Sequence, residues 1–261
     1  MKQDETALRG AGNLNSVPFP VLFTCPHGGR VEFSPVRDDS NVSCGPGEFR
    51  IKSDNNTIEV TEGIALNIFR LSTRDVYRTI AIADRSFVDF NRGPECAFSS
   101  KDDFAKHLYD VYHDEISRTI VKMHGQNDQG LCFLFDIHGT DDTDAEIFFG
   151  TDARSNPHKS TICGLLERNP NALWDENTGL IKLLQNKGYS TIPRNINDGE
   201  HPSFDGGLTV KKYGDCDLNP RVEAIQCEIT ADLRDRTKRL KFTADMAECI
   251  LNFVRPYISQ I

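Results

Sequence analysis

No stretch of this 261-residue chain is apolar for long enough to cross a membrane, and Met1-Lys2-Gln3-Asp4-Glu5 lacks the apolar core of a secretory signal. Positive charge is not in excess. Against 39 Asp and Glu stand 30 Lys and Arg, a net charge of -9. Nucleic acid and anionic membranes demand surplus Lys and Arg to displace counterions, so neither is an expected partner. A small or peptide-like substrate fits the charge better. There is also no internal repeat, no low-complexity linker and no Cys-x-x-Cys pair. The eight cysteines are scattered, and Cys132 and Cys227 sit within apolar, strand-like runs. They read as buried free thiols in a reducing compartment, which points to a cytoplasmic protein.

What the chain does have is two apolar runs that each deliver a histidine to a turn. Val21-Leu22-Phe23 runs into Thr24-Cys25-Pro26-His27-Gly28-Gly29, and Leu131 to Ile137 runs into His138-Gly139-Thr140. A short buried strand broken by Pro or Gly leaves its last side chains at the sheet's edge, where open α/β sheets keep their chemistry. Either histidine alone is as readily an incidental strand end. The pair points to a metal site.

The remaining pattern is one of alternating strands and helices. Helical spacing covers Thr57 to Arg70, with cap candidates from Asp54 to Thr57, and Lys101 to Met123, with Ser99 and Ser100 before it. Shorter helices are expected at Cys163 to Glu167 and Leu180 to Asn186, and a closing amphipathic helix at Arg236 to Val254. Strands are expected at Thr79 to Ala83, Glu146 to Gly150, Tyr189 to Ile192 and Glu223 to Ile229. The loop from Pro193 to Gly207, rich in Gly, Pro, Asn and Asp, is placed to cover a site. These features predict a single α/β domain over 17–261, a twisted, mainly parallel mixed sheet flanked by helices, behind a loose segment at 1–16.

A catalytic zinc takes three protein ligands and keeps a fourth position for water. His27 and His138 supply two. The third is expected to be a carboxylate: Glu32, the Glu nearest His27, or Glu59 or Glu62 from the following helix. In Gln226-Cys227-Glu228 a carboxylate lies inside an apolar run, where an unpaired charge is costly. Beside a metal, Glu228 suits a general base; held by Arg234, it is merely structural. Arg92 offers a planar fork for a substrate carboxylate, with Asn91 beside it. Asp89 either orients Arg92 or forms a plain ion pair with it.

Five segments together resemble the N-formylglutamate amidohydrolase family, itself similar to zinc carboxypeptidases and aspartoacylase-type deacylases. They are Pro26-His27-Gly28-Gly29, Val88 to Arg92, Phe135 to Gly139, Gly206-Gly207-Leu208 leading to Tyr213-Gly214, and Ala224 to Ile229. They stand in the family's order from about Val21 to Tyr257. The resemblance implies a zinc-carboxypeptidase-like fold and one zinc ion per chain held by His27, His138 and a carboxylate. It also implies Asn91 and Arg92 on the substrate carboxylate and Glu228 as activator of water. The implied substrate is an N-acyl amino acid of the N-formylglutamate type. Two positions depart from the pattern. Arg30 stands where zinc carboxypeptidases have a Glu, while Glu32, two residues on, resembles the spacing of phage poly-γ-glutamate hydrolases; Leu208 stands where many members have Tyr.

Three rival readings share these residues. One is a γ-glutamyl or peptide hydrolase with an open groove. Another is a binding protein without catalysis, which Arg30 favours. The last is acyl transfer by Cys25 or Cys227.

Overall fold

The computed structural model describes residues 17–38, 40–45, 49–127, 130–153, 160–220 and 222–258. The segment 1–16, expected to be loose, and Pro46 and Gly47 lie outside these residues. Six strands, β1 (Val21–Cys25), β2 (Tyr77–Ile80), β3 (Phe133–Thr140), β4 (Ile147–Gly150), β5 (Thr191–Ile192) and β6 (Glu223–Thr230), form one sheet in the order β2-β1-β3-β6-β4-β5. Pairing is parallel from β2 through β6 and antiparallel between β6 and β4. The mixed, mainly parallel sheet expected from the alternation is therefore present.

Alternation along the central strands sorts side chains to two faces. Phe133, Phe135 and Ile137 of β3, with Ile225, Cys227 and Ile229 of β6, bury against α1 (Thr57–Ser72), α5 (Leu180–Asn186) and α8 (Arg236–Val254). Leu134 and Ala224 face the other way, onto α3 (Asp103–Gln126) and α6 (Leu208–Tyr213). Toward the carboxyl ends of the strands that second face turns polar: Asp136 and His138 follow on β3, Gln226 and Glu228 on β6. Helices on both sides leave the sheet no wet face, which is why its strands read as near-continuous apolar runs.

The long helices start where local chemistry allows. Asp102, not Ser99 or Ser100, caps α3 by accepting from the backbone N–H groups of Phe104 and Ala105, and Asp235 accepts from Thr237 N–H at the start of α8. Three helices not expected from the sequence, α2 (Pro94–Ala97), α6 and α7 (Ala231–Arg234), span six residues or fewer, too short to show a period. The remaining helix is α4 (Cys163–Arg168). Among the described residues no helix is long and apolar enough to cross a membrane.

The cysteine reading needs correction. Cys44 pairs with Cys96 and Cys163 with Cys216, while Cys25, Cys132, Cys227 and Cys249 are free and buried. Two disulfides remove the support that free thiols lent to a reducing compartment.

Candidate metal centre and active site

His27 sits on the turn that ends β1. The chain leaves this turn by pressing its backbone against the end of β2, so closely that a Cβ on Gly29 would stand 2.2 Å from the Ala83 carbonyl oxygen. Val31 then pairs with Ala83. That pairing carries Glu32 outward, where its side chain is exposed. Glu59 and Glu62 are exposed as well, engaged with Arg30 and Arg78. None of the three carboxylates expected as third ligand stands with the histidines. Asp54 does. Its backbone N–H donates to the His27 carbonyl, and its carboxylate turns inward, away from the helix it precedes.

The three donor atoms form a tight triangle. His27 Nδ1 and His138 Nδ1 are 3.1 Å apart, and each lies 3.5 Å from Asp54 Oδ2. Donors bound at zinc-like lengths to a tetrahedral ion stand about 3.3–3.5 Å apart, so the triangle has the dimensions of one face of such a site. The opposite ring nitrogens are committed. His27 Nε2 is 2.7 Å from Asp89 Oδ1, and His138 Nε2 is 2.8 Å from Asp136 Oδ2. With each Nε2–H directed at a carboxylate, each Nδ1 faces the shared centre and offers it a lone pair once deprotonated, the arrangement by which carboxylates orient metal-binding histidines. Thr24 donates to Asp136 at 2.6 Å, and Arg85 donates to Asp89 at 2.8 Å, fixing both orienting carboxylates in turn.

The electrostatics favour a cation here. Burial works against the charged form of His138, yet Asp136, Asp54 and Glu228 hold its imidazole well above its ordinary value. Burial likewise opposes the Asp54 carboxylate, and the two histidines overcome it, holding Asp54 well below the usual range.

β3 and β6 place the remaining machinery. Glu228 is the parallel-ladder partner of His138, and Gln226 that of Asp136, so these four polar side chains share one face. Gln226 donates to Glu228 Oε1 at 3.0 Å. Burial raises the Glu228 carboxyl to about 7, with the nearby His138 pulling the other way. Arg234 does not hold Glu228; it donates to the carbonyls of Ile229, Thr140 and Asn55.

His27, Asp54, His138 and Glu228 open on a cavity of about 700 Å³ whose lining includes Asn91 and Arg92. The Asp89 carboxylate bonds His27, Arg85 and the Asn91 N–H, with the Arg92 charge also acting on it, and Arg92 Nη1 donates to the Asn91 carbonyl. Asn91 accepts from the Thr209 N–H at 2.8 Å, and its amide lies so close under Gly207 that a Cβ there would meet Nδ2 at 2.1 Å. The paired glycines thus let the covering loop descend onto Asn91. Residues 202–207 form one wall, pinned by Gly206 N–H to Gln226 and by the Glu200 carboxylate to Thr151.

No protein-family model matches the chain, and no curated protein matches it in sequence. Among the solved structures that match in three dimensions, two superpose over most of both chains. An N-formylglutamate amidohydrolase from Ralstonia eutropha JMP134 superposes with a TM-score of 0.60 at 15% identity, over 93% of this chain and 96% of that one. A gene product of Agrobacterium tumefaciens superposes with a TM-score of 0.55 at 15% identity, over 91% of each chain. The likeness is one of fold.

The thiols take no part in this arrangement. Burial raises Cys25 to about 11 and Cys227 well above its ordinary value, so neither is a thiolate near neutral pH. Arg30 is equally remote in role: exposed, it donates to Asn56 and pairs with Glu59 on the surface.

Proposed function

We propose that this chain is a zinc-dependent amidohydrolase that cleaves the N-acyl amide of a carboxylate-bearing amino acid such as N-formylglutamate. The observation that carries the reading is the converging triangle of His27 Nδ1, His138 Nδ1 and Asp54 Oδ2 beside a buried carboxylate. These three residues would hold one zinc ion per chain. Bound there, the ion supplies the Lewis acidity that makes water a nucleophile near neutral pH and polarises the amide carbonyl.

The protein's own groups then divide the work. Glu228 takes the proton of the attacking water and returns it to the departing amine, for which a carboxyl titrating near 7 is well matched. Gln226 fixes Glu228 through its amide. Asp89 and Asp136 lock the two imidazoles in orientation. Arg92 and Asn91, which line the same cavity as Glu228, supply the cation and amide that grip a substrate carboxylate and place the scissile bond. A cavity of about 700 Å³ walled by residues 202–207 suits an acylated amino acid better than a polypeptide in a groove.

The two features that favoured other chemistries lose their force. Arg30 spoke for a binding protein without metal, but Asp54 supplies the carboxylate that Arg30 was taken to have replaced. Buried, protonated cysteines speak against thiol transfer.

The test is release of formate from N-formyl-L-glutamate. Zinc-loaded protein should release it, chelation should abolish release, and added zinc should restore it. Failure to hydrolyse N-formyl and N-acetyl acidic amino acids after zinc loading would refute the reading.

A further inference from the structure

Arg37 belongs to no helix or strand and lies outside the cavity, yet its side chain is buried. Its guanidinium donates to three carbonyls from three separate segments: Arg85 (Nε at 3.3 Å and Nη2 at 2.8 Å), Cys96 (Nη1 at 2.8 Å) and Arg50 (Nη2). It lies over the Phe49 ring, 5.3 Å from the centroid, and 3.9 Å from Asp89 Oδ2. All three segments carry cavity-lining residues: Arg50 on the first, Arg85 on the second, and Arg92, Gly93 and Glu95 on the stretch leading to Cys96. A single buried cation therefore joins the backbones of the cavity's arginine-bearing rim.

Other bonds join the rim in pairs: Ser53 donates to Asp84 and accepts from the Arg85 N–H, and Arg85 reaches the Lys52 carbonyl, whereas Arg37 bonds all three segments at once. Residues 49–53 form neither helix nor strand. Their neighbours are stitched to the α2 segment by the Ser43 N–H, which donates to the Glu95 carbonyl at 2.7 Å, and by the Cys44–Cys96 disulfide. Removing the guanidinium leaves the buried carbonyls of Arg85 and Cys96 without this donor, a cost the rim can relieve by moving. Lysine cannot substitute, because one ammonium lacks the planar fork needed to reach three carbonyls in different directions.

We propose that Arg37 is a positioning residue that sets where Arg50 and Arg92 meet the substrate, without touching substrate itself. The substrate half of this inference rests on the amidohydrolase reading; the rim half does not.

The experiment compares zinc-loaded wild type with Arg37→Lys and the milder Phe49→Leu, which removes the ring beneath the guanidinium but leaves its carbonyl bonds. Metal content, backbone hydrogen exchange and kinetics on N-formyl-L-glutamate are read together. Arg37→Lys should keep its metal and exchange faster only in the three segments it joins, residues 49–54, 84–87 and 92–97. Its KM should rise roughly tenfold while kcat stays within about threefold. Phe49→Leu should shift the same segments and the KM in the same direction by less, and it carries the test if Arg37→Lys fails to fold. Unchanged exchange at the rim, or a loss confined to kcat, would overturn the proposal. Wild type that hydrolyses no N-formyl or N-acetyl acidic amino acid would sink the amidohydrolase reading alone, and the exchange comparison would still decide the role of Arg37.

Discussion

Glu228 stands directly across the parallel ladder from His138, so one hydrogen-bonding register fixes both the proposed base and a histidine of the donor triangle. Two residues earlier the same register sets Gln226 against Asp136, and each of these bonds to the residue above it. A one-residue slip between the strands would send one pair to the opposite face, among Phe135, Ile137 and Cys227. The geometry of the site is thereby tied to the two longest strands in the sheet.

This arrangement separates binding from turnover. Glu228→Gln keeps the side-chain shape and the contact with Gln226, so metal content should match wild type. Turnover should fall by about 10²- to 10⁴-fold. Full activity in this variant would remove Glu228 from the role of base.

The orienting carboxylates make a second prediction. In Asp136→Asn the His138 ring loses its charged partner at Nε2, while Thr24 keeps a hydrogen-bonding neighbour. Zinc affinity should drop by about 10- to 100-fold in competition with a chelator. An unchanged affinity would show that Asp136 serves the fold alone.

Much of this was legible in the sequence, for identifiable reasons. His27, His138 and Glu228 end or interrupt apolar runs, where a polar side chain must face a functional edge or be costly. The closing helix was legible over Arg236–Val254 because its period persists for nineteen residues. Asp54 was hidden because a carboxylate just before a helix has a commoner use as a cap, and no spacing rule ties it to His27. In the structure Asn56, in the left-handed region at φ 64°, takes the cap position without a side-chain bond, and Asp54 is released to the histidines. The disulfides were equally hidden, since their cysteines lie 52 and 53 residues apart with no motif around them.

Those pairings are checked by counting thiols. In denaturant without reductant, four should react, and eight after reduction. Eight reactive thiols at the outset would restore the reading that all the cysteines are free.

His113 gives the fold a pH dependence away from the donor triangle. It is buried on α3 beside the Tyr213 hydroxyl, and burial, aided by Lys212, lowers it to about 4. An unfolded histidine titrates near 6.5, so between about 6.5 and 4 the unfolded chain binds the proton that the folded chain refuses. Stability should therefore fall as pH drops through that window, by up to about 3 kcal/mol, and this component should level off below it. His113→Gln should flatten the decline in a denaturant titration series. An equal slope in both proteins would acquit His113.

His27, Asp54 and His138 are proposed to hold one metal ion. Elemental analysis of tag-free wild type, Asp54→Ala and Glu32→Ala after zinc loading and dialysis tests it most directly. About one zinc per chain in wild type and in Glu32→Ala, with little or none in Asp54→Ala, is the predicted result. Zinc lost from Glu32→Ala but kept by Asp54→Ala, or absent from wild type, would contradict the account.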